Sequence, residues 1–144
     1  MSPSAYVEMA SHIKRYRETG GAEGHHFNGT RCLLLDTRGR RSRLVRTVAV
    51  VYETDAAGRY IVVASKAGAP NPPDWFRNLQ ACPEAVIQVG AEVFPVRARV
   101  VTATERPALW QRMVAIYPPY DRYEQRAGRE MPVILLERSL PLGT

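Results

Sequence analysis

The chain has 144 residues, 45% hydrophobic and 24% charged, with a formal net charge of +6. That suits one soluble globular domain, and no apolar run approaches the ~20 residues of a membrane span. The first residues lack the apolar core of a secretory signal, so the expected location is cytoplasmic. Its two cysteines, Cys32 and Cys82, form no CxxC and have no His at metal spacing, so both are read as buried, reduced thiols.

Ser2-Pro3 is a helix start, and Gly20-Gly21 is its stop. Between them Tyr6, Met9, Ala10, Ile13 and Tyr16 recur at helical spacing, opposite Glu8, Lys14, Arg15 and Arg17. The pattern predicts an amphipathic helix over residues 1–20, packed on the barrel, or else touching a membrane surface or gating a site.

Strand signals follow. "CLLLDT", "VRTVAVVYE" and "RYIVVASK" are rich in β-branched residues and separated by turns, the first around Gly39 and the second through "TDAAGR". Gly39 is expected to supply a positive φ in the first turn. Pro72-Pro73 with Asp74 opens a short helix that Pro83 stops. "EAVIQVG" and "EVFPVRARVVT" make a hairpin through Gly90, with Pro95 marking an edge or bulge. A helix capped at Thr104 and a second beginning in "PPYDRYEQRAGRE" precede a last strand, "MPVILLER". Six short strands joined mostly by tight turns favour antiparallel pairing and a small closed barrel, an α+β arrangement in one domain spanning residues 1–144.

The histidines give little chemistry. His12 lies on the first helix, and the adjacent His25 and His26 point apart on extended backbone, so a metal site with Glu23 is poorly supported. No triad can be assembled around a Ser or Cys, and no GxGxxG follows a strand.

The first strand turn is the stronger signal. Arg38, Arg40, Arg41, Arg43 and Arg46 fall within nine residues. So many like charges are best tolerated around an anion. Downstream, Ser65, Lys66, Gly68, Trp75, Arg77 and Asn78 combine donors, cations and an aromatic near a helix N-terminus, a place that binds phosphate and carboxylate. A flat aromatic ligand with an anionic tail would use both features. Nucleic acid is not favoured, because the arginines are not interleaved with aromatics. Tyr117, Tyr120 and Tyr123, at a spacing of three, are read either as packing or as a pocket for a flat acceptor.

These segments, "LLLDTRGRRSRLVRT", "VVASKAGAPNPPDWFRNLQACPEAVIQVG" and "YPPYDRYEQRAGREMPVILLE", resemble the deazaflavin-dependent nitroreductases of actinobacteria. The resemblance implies an FMN-binding split-barrel-like fold of six antiparallel strands with an N-terminal amphipathic helix and flanking helices. It implies the cofactor F420, an 8-hydroxy-5-deazaflavin with a phosphate and an oligoglutamate tail, and hydride transfer to a quinone or nitroaromatic acceptor. By the same resemblance Arg40, Arg41, Ser42, Arg46, Thr47, Val48, Ala49, Val50 and Val51 would grip the phosphate and tail. Val63, Ala64, Ser65 and Lys66 would line the ring, and Asp74, Trp75, Phe76, Arg77 and Asn78 would contact the tail and phosphate. Ser65, Tyr120 and Tyr123 would serve the reaction, Tyr123 beside the ring and Tyr120 toward the acceptor. The chain departs from the family's turn pattern with Arg43 where a Gly is usual and Arg41 where a Lys is usual. The other readings are a split barrel binding FMN or haem, and a cofactor-binding protein without turnover.

Overall fold

A computed structural model describes residues 3–27, 29–65 and 71–139, with side chains from residue 9 onward. In chain order the elements are α1 (Pro3–Thr19), β1 (His26–Phe27), β2 (Thr30–Arg38), β3 (Val45–Val51), β4 (Glu53–Thr54), β5 (Tyr60–Val63), α2 (Asp74–Ala81), β6 (Glu84–Val89), β7 (Glu92–Val100), α3 (Arg106–Ile116), α4 (Pro119–Ala127) and β8 (Val133–Arg138). All strand pairs are antiparallel, in the order β1-β2-β6-β7-β8-β5-β4, with β3 also paired to β2.

That order curls the sheet. β3 pairs with β2 at one margin and β4 with β5 at the other, yet only Tyr52 separates β3 from β4 in the chain. One bent strand therefore joins the two margins, and Tyr52 N–H donates to Arg31 C=O at 3.1 Å at the bend. Counting β3–β4 as one strand gives the six expected, and the two-residue β1 is an addition. The fold is a split β-barrel flanked by four helices.

Both faces of the central strands are covered, which explains their unbroken apolar runs. Leu33, Leu35, Val62, Ile87, Val96, Ile134 and Leu136 share the interior with Trp75, Phe76 and Leu79 of α2. The alternate residues Ile61, Val63, Val133 and Leu135 pack outside against Met113 and Tyr120. Cys32 and Leu34 lie under Ile13 and Tyr16 of α1. The apolar side of α1 is thus spent on the barrel wall in its second half, while the Ser2 cap lies outside the described residues.

Tyr16 anchors α1. Its hydroxyl donates to Cys32 C=O at 3.0 Å and accepts from Gly90 N–H at 2.9 Å. Burial pushes this phenol up to about 12. At the helix end Gly21 packs so closely on the β6–β7 turn that a Cβ there would lie 2.6 Å from Gly90 Cα. Both cysteines are free thiols, but only Cys32 is buried; Cys82, at the C-terminal end of α2, is partly exposed rather than buried as expected.

Two local expectations change. Gly39 does not carry a positive φ; Arg43 does, at 65°. The start of α3 is organised by Thr102 and Glu105 rather than Thr104. Glu105 N–H donates to Thr102 Oγ1 at 3.2 Å, and Thr102 N–H to Glu105 Oε1 at 2.9 Å. This is a reciprocal capping box from the Thr-x-x-Glu pattern. Among the described residues no helix is long and apolar enough to cross a membrane.

Candidate cofactor site

β2 and β3 end in a paired extension, Asp36 opposite Thr47, Thr37 opposite Arg46 and Arg38 opposite Val45. Gly39 N–H donates to Leu44 C=O at 2.8 Å and Arg43 N–H to Gly39 C=O at 2.9 Å, which closes the turn. Gly39 is needed for space: a Cβ there would lie 2.5 Å from Ser42 Oγ. Ser42 Oγ in turn accepts from Leu44 N–H at 3.2 Å.

Strand alternation sorts these side chains by face. Thr37 and Arg46 follow the interior residues Leu33, Leu35, Val48 and Val50, so they face the side that α2 occupies. Asp36 and Thr47 face α1, where Arg17 Nη2 donates to Asp36 at 2.7 and 2.9 Å and the Thr47 hydroxyl donates to the same carboxylate. The hairpin's one carboxylate is therefore neutralised on the far side. Arg38, Arg41, Arg43 and Arg46 have no ion pair among the described residues.

α2 receives the turn. Asn78, only 3% exposed, accepts from Arg40 N–H at 3.2 Å and from Arg40 Nη1 at 3.0 Å. Its Nδ2 donates to Thr37 Oγ1 at 3.1 Å. Arg40 Nη2 also lies 3.4 Å from the largely exposed Asp74. No side chain caps the first turn of α2.

A second polar feature lies at the end of β5. Ala64 N–H donates to Pro132 C=O at 2.9 Å and Ser65 N–H to Val63 C=O at 3.0 Å. The Ser65 Oγ is buried without a hydrogen-bond partner among the described residues. A buried unsatisfied hydroxyl costs roughly 1–3 kcal/mol, which a ligand bond would recover. Val63, two residues earlier, packs with Tyr120 of α4.

Tyr120 packs 4.8 Å from Tyr117 and 6.5 Å from Tyr123, ring centre to ring centre. Burial holds its hydroxyl protonated well above the usual phenol range, reinforced by Tyr117 and Tyr123. The Tyr117 phenol is raised by its hydrogen bond with Tyr123 and by burial. At neutral pH Tyr120 is a donor and not a base.

The structure thus brings Arg40, Asp74 and Asn78 into direct contact and leaves Arg41, Ser42, Arg46 and Arg77 exposed. Trp75 and Phe76 turn into the barrel core, Ala49 lies under α1, and Thr47 is bound to Asp36. Val51, half-buried, sits opposite Cys32. Lys66 and Gly68 fall outside the described residues. Thr37 and Asp36 were missed from sequence, although alternation along "LLLDTR" carries the signal for both. Among the described residues no three His, Cys, Asp or Glu side chains gather as metal ligands, and His25 Nε2 lies 2.8 Å from the Tyr52 hydroxyl.

The strand order and the bent β3–β4 strand define a split β-barrel, with unpaired guanidinium groups on its β2–β3 hairpin and a buried hydroxyl without a partner among the described residues at the end of β5. Its sequence is more specific. The chain belongs to the F420H(2)-dependent quinone reductase family, whose model matches residues 8–138. An F420H(2)-dependent quinone reductase of Mycobacterium tuberculosis is 37% identical over 131 residues, covering 88% of this chain and 87% of that protein. The solved structure of an F420-H2 dependent reductase aligns with a TM-score of 0.67 at 36% identity, over 74% of this chain and 93% of that one. A solved domain-swapped dimer aligns with a TM-score of 0.70 at 31% identity, over 94% of this chain and 100% of that one.

Proposed function

We propose that this protein is an F420H(2)-dependent oxidoreductase that reduces a quinone, with nitroaromatic compounds as alternative acceptors. The observation that carries the reading is the β2–β3 turn. Unpaired Arg41, Arg43 and Arg46 stand there beside an Arg40 docked on α2, with the only hairpin carboxylate turned away. A phosphate and a string of carboxylates suit that donor set, and guanidinium groups bind both in forked pairs. Ser65 Oγ suits a polar ligand atom at the other end, because it is a buried hydroxyl in want of a polar partner.

Reduced F420, when bound, supplies a hydride. The protein's residues supply position and electrostatics. Arg40, Arg41, Ser42 and Arg46 would hold the phosphate and tail, with Arg77 on the exposed side of α2, and Val63, Ala64 and Ser65, with Lys66 by the sequence resemblance alone, would line the ring. Ser65 would donate a hydrogen bond to a polar atom of the ring or the acceptor. Tyr120 and Tyr123 would stand on the acceptor side, where the protonated Tyr120 hydroxyl would donate toward an oxygen on which negative charge develops. No strong general base is required of the chain.

The first test is a fluorescence titration of the purified protein with oxidised F420, with FMN and haem run beside it, followed by quinone turnover with reduced F420. Tight, salt-sensitive F420 binding with quinone reduction supports the assignment. Binding of FMN or haem instead, or F420 binding without turnover, sinks it.

Peripheral membrane contact through the N-terminal helix belongs to the same reading, since many quinones partition into lipid. Ile13 and Tyr16 are turned onto the barrel, so such contact would come from residues ahead of them. Co-sedimentation with vesicles of the full chain, beside a chain lacking residues 1–18, decides it: equal sedimentation removes the helix from any membrane role.

A further inference from the structure

Asn78 sits inside the proposed cofactor site, yet its amide is almost wholly spent on the protein. Its Oδ1 accepts two bonds, from Arg40 N–H at 3.2 Å and Arg40 Nη1 at 3.0 Å, which is the capacity of a carbonyl oxygen. One Nδ2 proton goes to Thr37 Oγ1 at 3.1 Å. What remains is one N–H on a side chain that is 3% exposed. Such a group has little to offer a phosphate or carboxylate directly.

We propose that Asn78 is the positioning residue of the basic turn, a strut from α2 that sets Arg40 and the Arg40–Arg43 backbone in shape before any anion arrives. Within residues 40–43 the described backbone bonds are few: Arg43 N–H to Gly39 C=O closes the turn, and Arg40 N–H goes to Asn78. Like charges at Arg38, Arg40, Arg41, Arg43 and Arg46 push the segment open. A turn free to open would have to be ordered by the ligand itself, at the expense of affinity. Thr37 completes the device. Its hydroxyl accepts from Nδ2 and so fixes which end of the amide faces Arg40.

The affinity part of this inference rests on the F420 reading, while the structural part can be measured without ligand. Two variants separate the roles. Asn78→Leu keeps the volume and deletes all three bonds, and Thr37→Val deletes the orienting partner without touching Arg40. Hydrogen exchange at the Arg40 amide is followed in the free, full-length protein, with the Leu34 and Leu35 amides of β2 as internal reference. F420 affinity and steady-state kinetics are then measured on the same preparations.

The expected result for Asn78→Leu is a loss of Arg40 amide protection of about tenfold, with the reference amides unchanged, and an F420 dissociation constant raised about tenfold. Turnover at saturating F420 should stay within about twofold. Thr37→Val should shift both quantities the same way by about threefold, and it carries the test should Asn78→Leu fail to fold. Unchanged Arg40 protection in the folded variants overturns the proposal. So does weakened F420 binding with Arg40 protection intact, which would make Asn78 a direct ligand, and so does lost turnover at unchanged affinity. If the wild-type protein does not bind F420 at all, the proposed function falls, and the exchange measurement still decides whether Asn78 holds the turn.

Discussion

Arg43 offers a clean separation of backbone strain from charge. It holds φ at 65°, a left-handed conformation that costs an L-residue roughly 1–2 kcal/mol and a glycine almost nothing. Its side chain is exposed and has no ion pair among the described residues, so little side-chain packing is at stake. Arg43→Ala removes the charge and keeps the strain, whereas Arg43→Gly removes both. The greater freedom of glycine in the unfolded chain returns about 0.5–1 kcal/mol of the gain. The Gly variant should therefore be more stable than the Ala variant by about 0.5–1 kcal/mol, or about 2–4 °C in melting temperature for a domain of this size. Urea unfolding followed by tryptophan fluorescence gives the difference directly. An Ala variant as stable as the Gly variant would refute the account of the turn. Both substitutions remove one cation, so both should weaken F420 binding equally. A larger loss for Gly would instead mean that the constrained backbone is itself part of the binding surface.

Four further expectations follow from the same geometry. Arg46→Ala should weaken F420 binding by roughly 1–3 kcal/mol and flatten its salt dependence, and an unchanged titration would remove Arg46 from the site. Ser65→Ala should leave the free protein as stable or up to about 2 kcal/mol more stable, since it deletes an unsatisfied buried hydroxyl, while lowering F420 affinity or turnover; a destabilised variant with normal kinetics contradicts this. Tyr123→Phe should bind F420 normally and turn over more slowly, whereas a collapse of folding would assign the tyrosine cluster to structure alone. Burial, with help from His26 and Arg31, lowers the His25 pKa in the folded state. The unfolded chain then takes up the proton first, so stability should fall as pH drops below about 6.5. His25→Gln should flatten that slope in a melting series, and an identical slope would show that another group carries it.

The barrel was legible because its strands alternate turn signals with apolar runs, and "VRTVAVVYE" was readable as one strand because its period survives the bend at Tyr52. The bend was not readable. It depends on β3 and β4 finding partners at opposite margins of the sheet, and no local pattern encodes that. The basic turn stood out by charge alone, but its internal geometry did not. A Gly at position 39 looks like a positive-φ residue, and only the crowding of Ser42 Oγ reveals that it supplies space, while Arg43 takes the left-handed backbone. The burial of Trp75 was unreadable for a related reason. An aromatic beside a helix start reads as a stacking surface, and only the packing of α2 on the barrel shows that Trp75, with Phe76 beside it, is part of the core cluster.

The arginines divide by what surrounds them, and that division argues for the site better than their number does. Arg17, Arg31, Arg59, Arg97, Arg99, Arg106 and Arg138 each meet a carboxylate within the fold. Contacts of this kind are mostly surface pairs worth about 0–1 kcal/mol each, so they fit a protein that uses arginine as ordinary structural cement. Arg38, Arg41, Arg43 and Arg46 meet none among the described residues, and they sit together on one hairpin. A genome-wide taste for arginine would scatter unpaired guanidinium groups over the surface. It would not gather four of them on one hairpin whose turn a buried asparagine ties to α2, nor turn the hairpin's one carboxylate to the face opposite Arg46. Concentrated, unscreened positive charge on a fixed backbone is destabilising in the free protein and becomes favourable only with an anion in place. F420 binding should accordingly raise the melting temperature more at low salt than at high salt, the pattern expected when the stabilising partner is a polyanion.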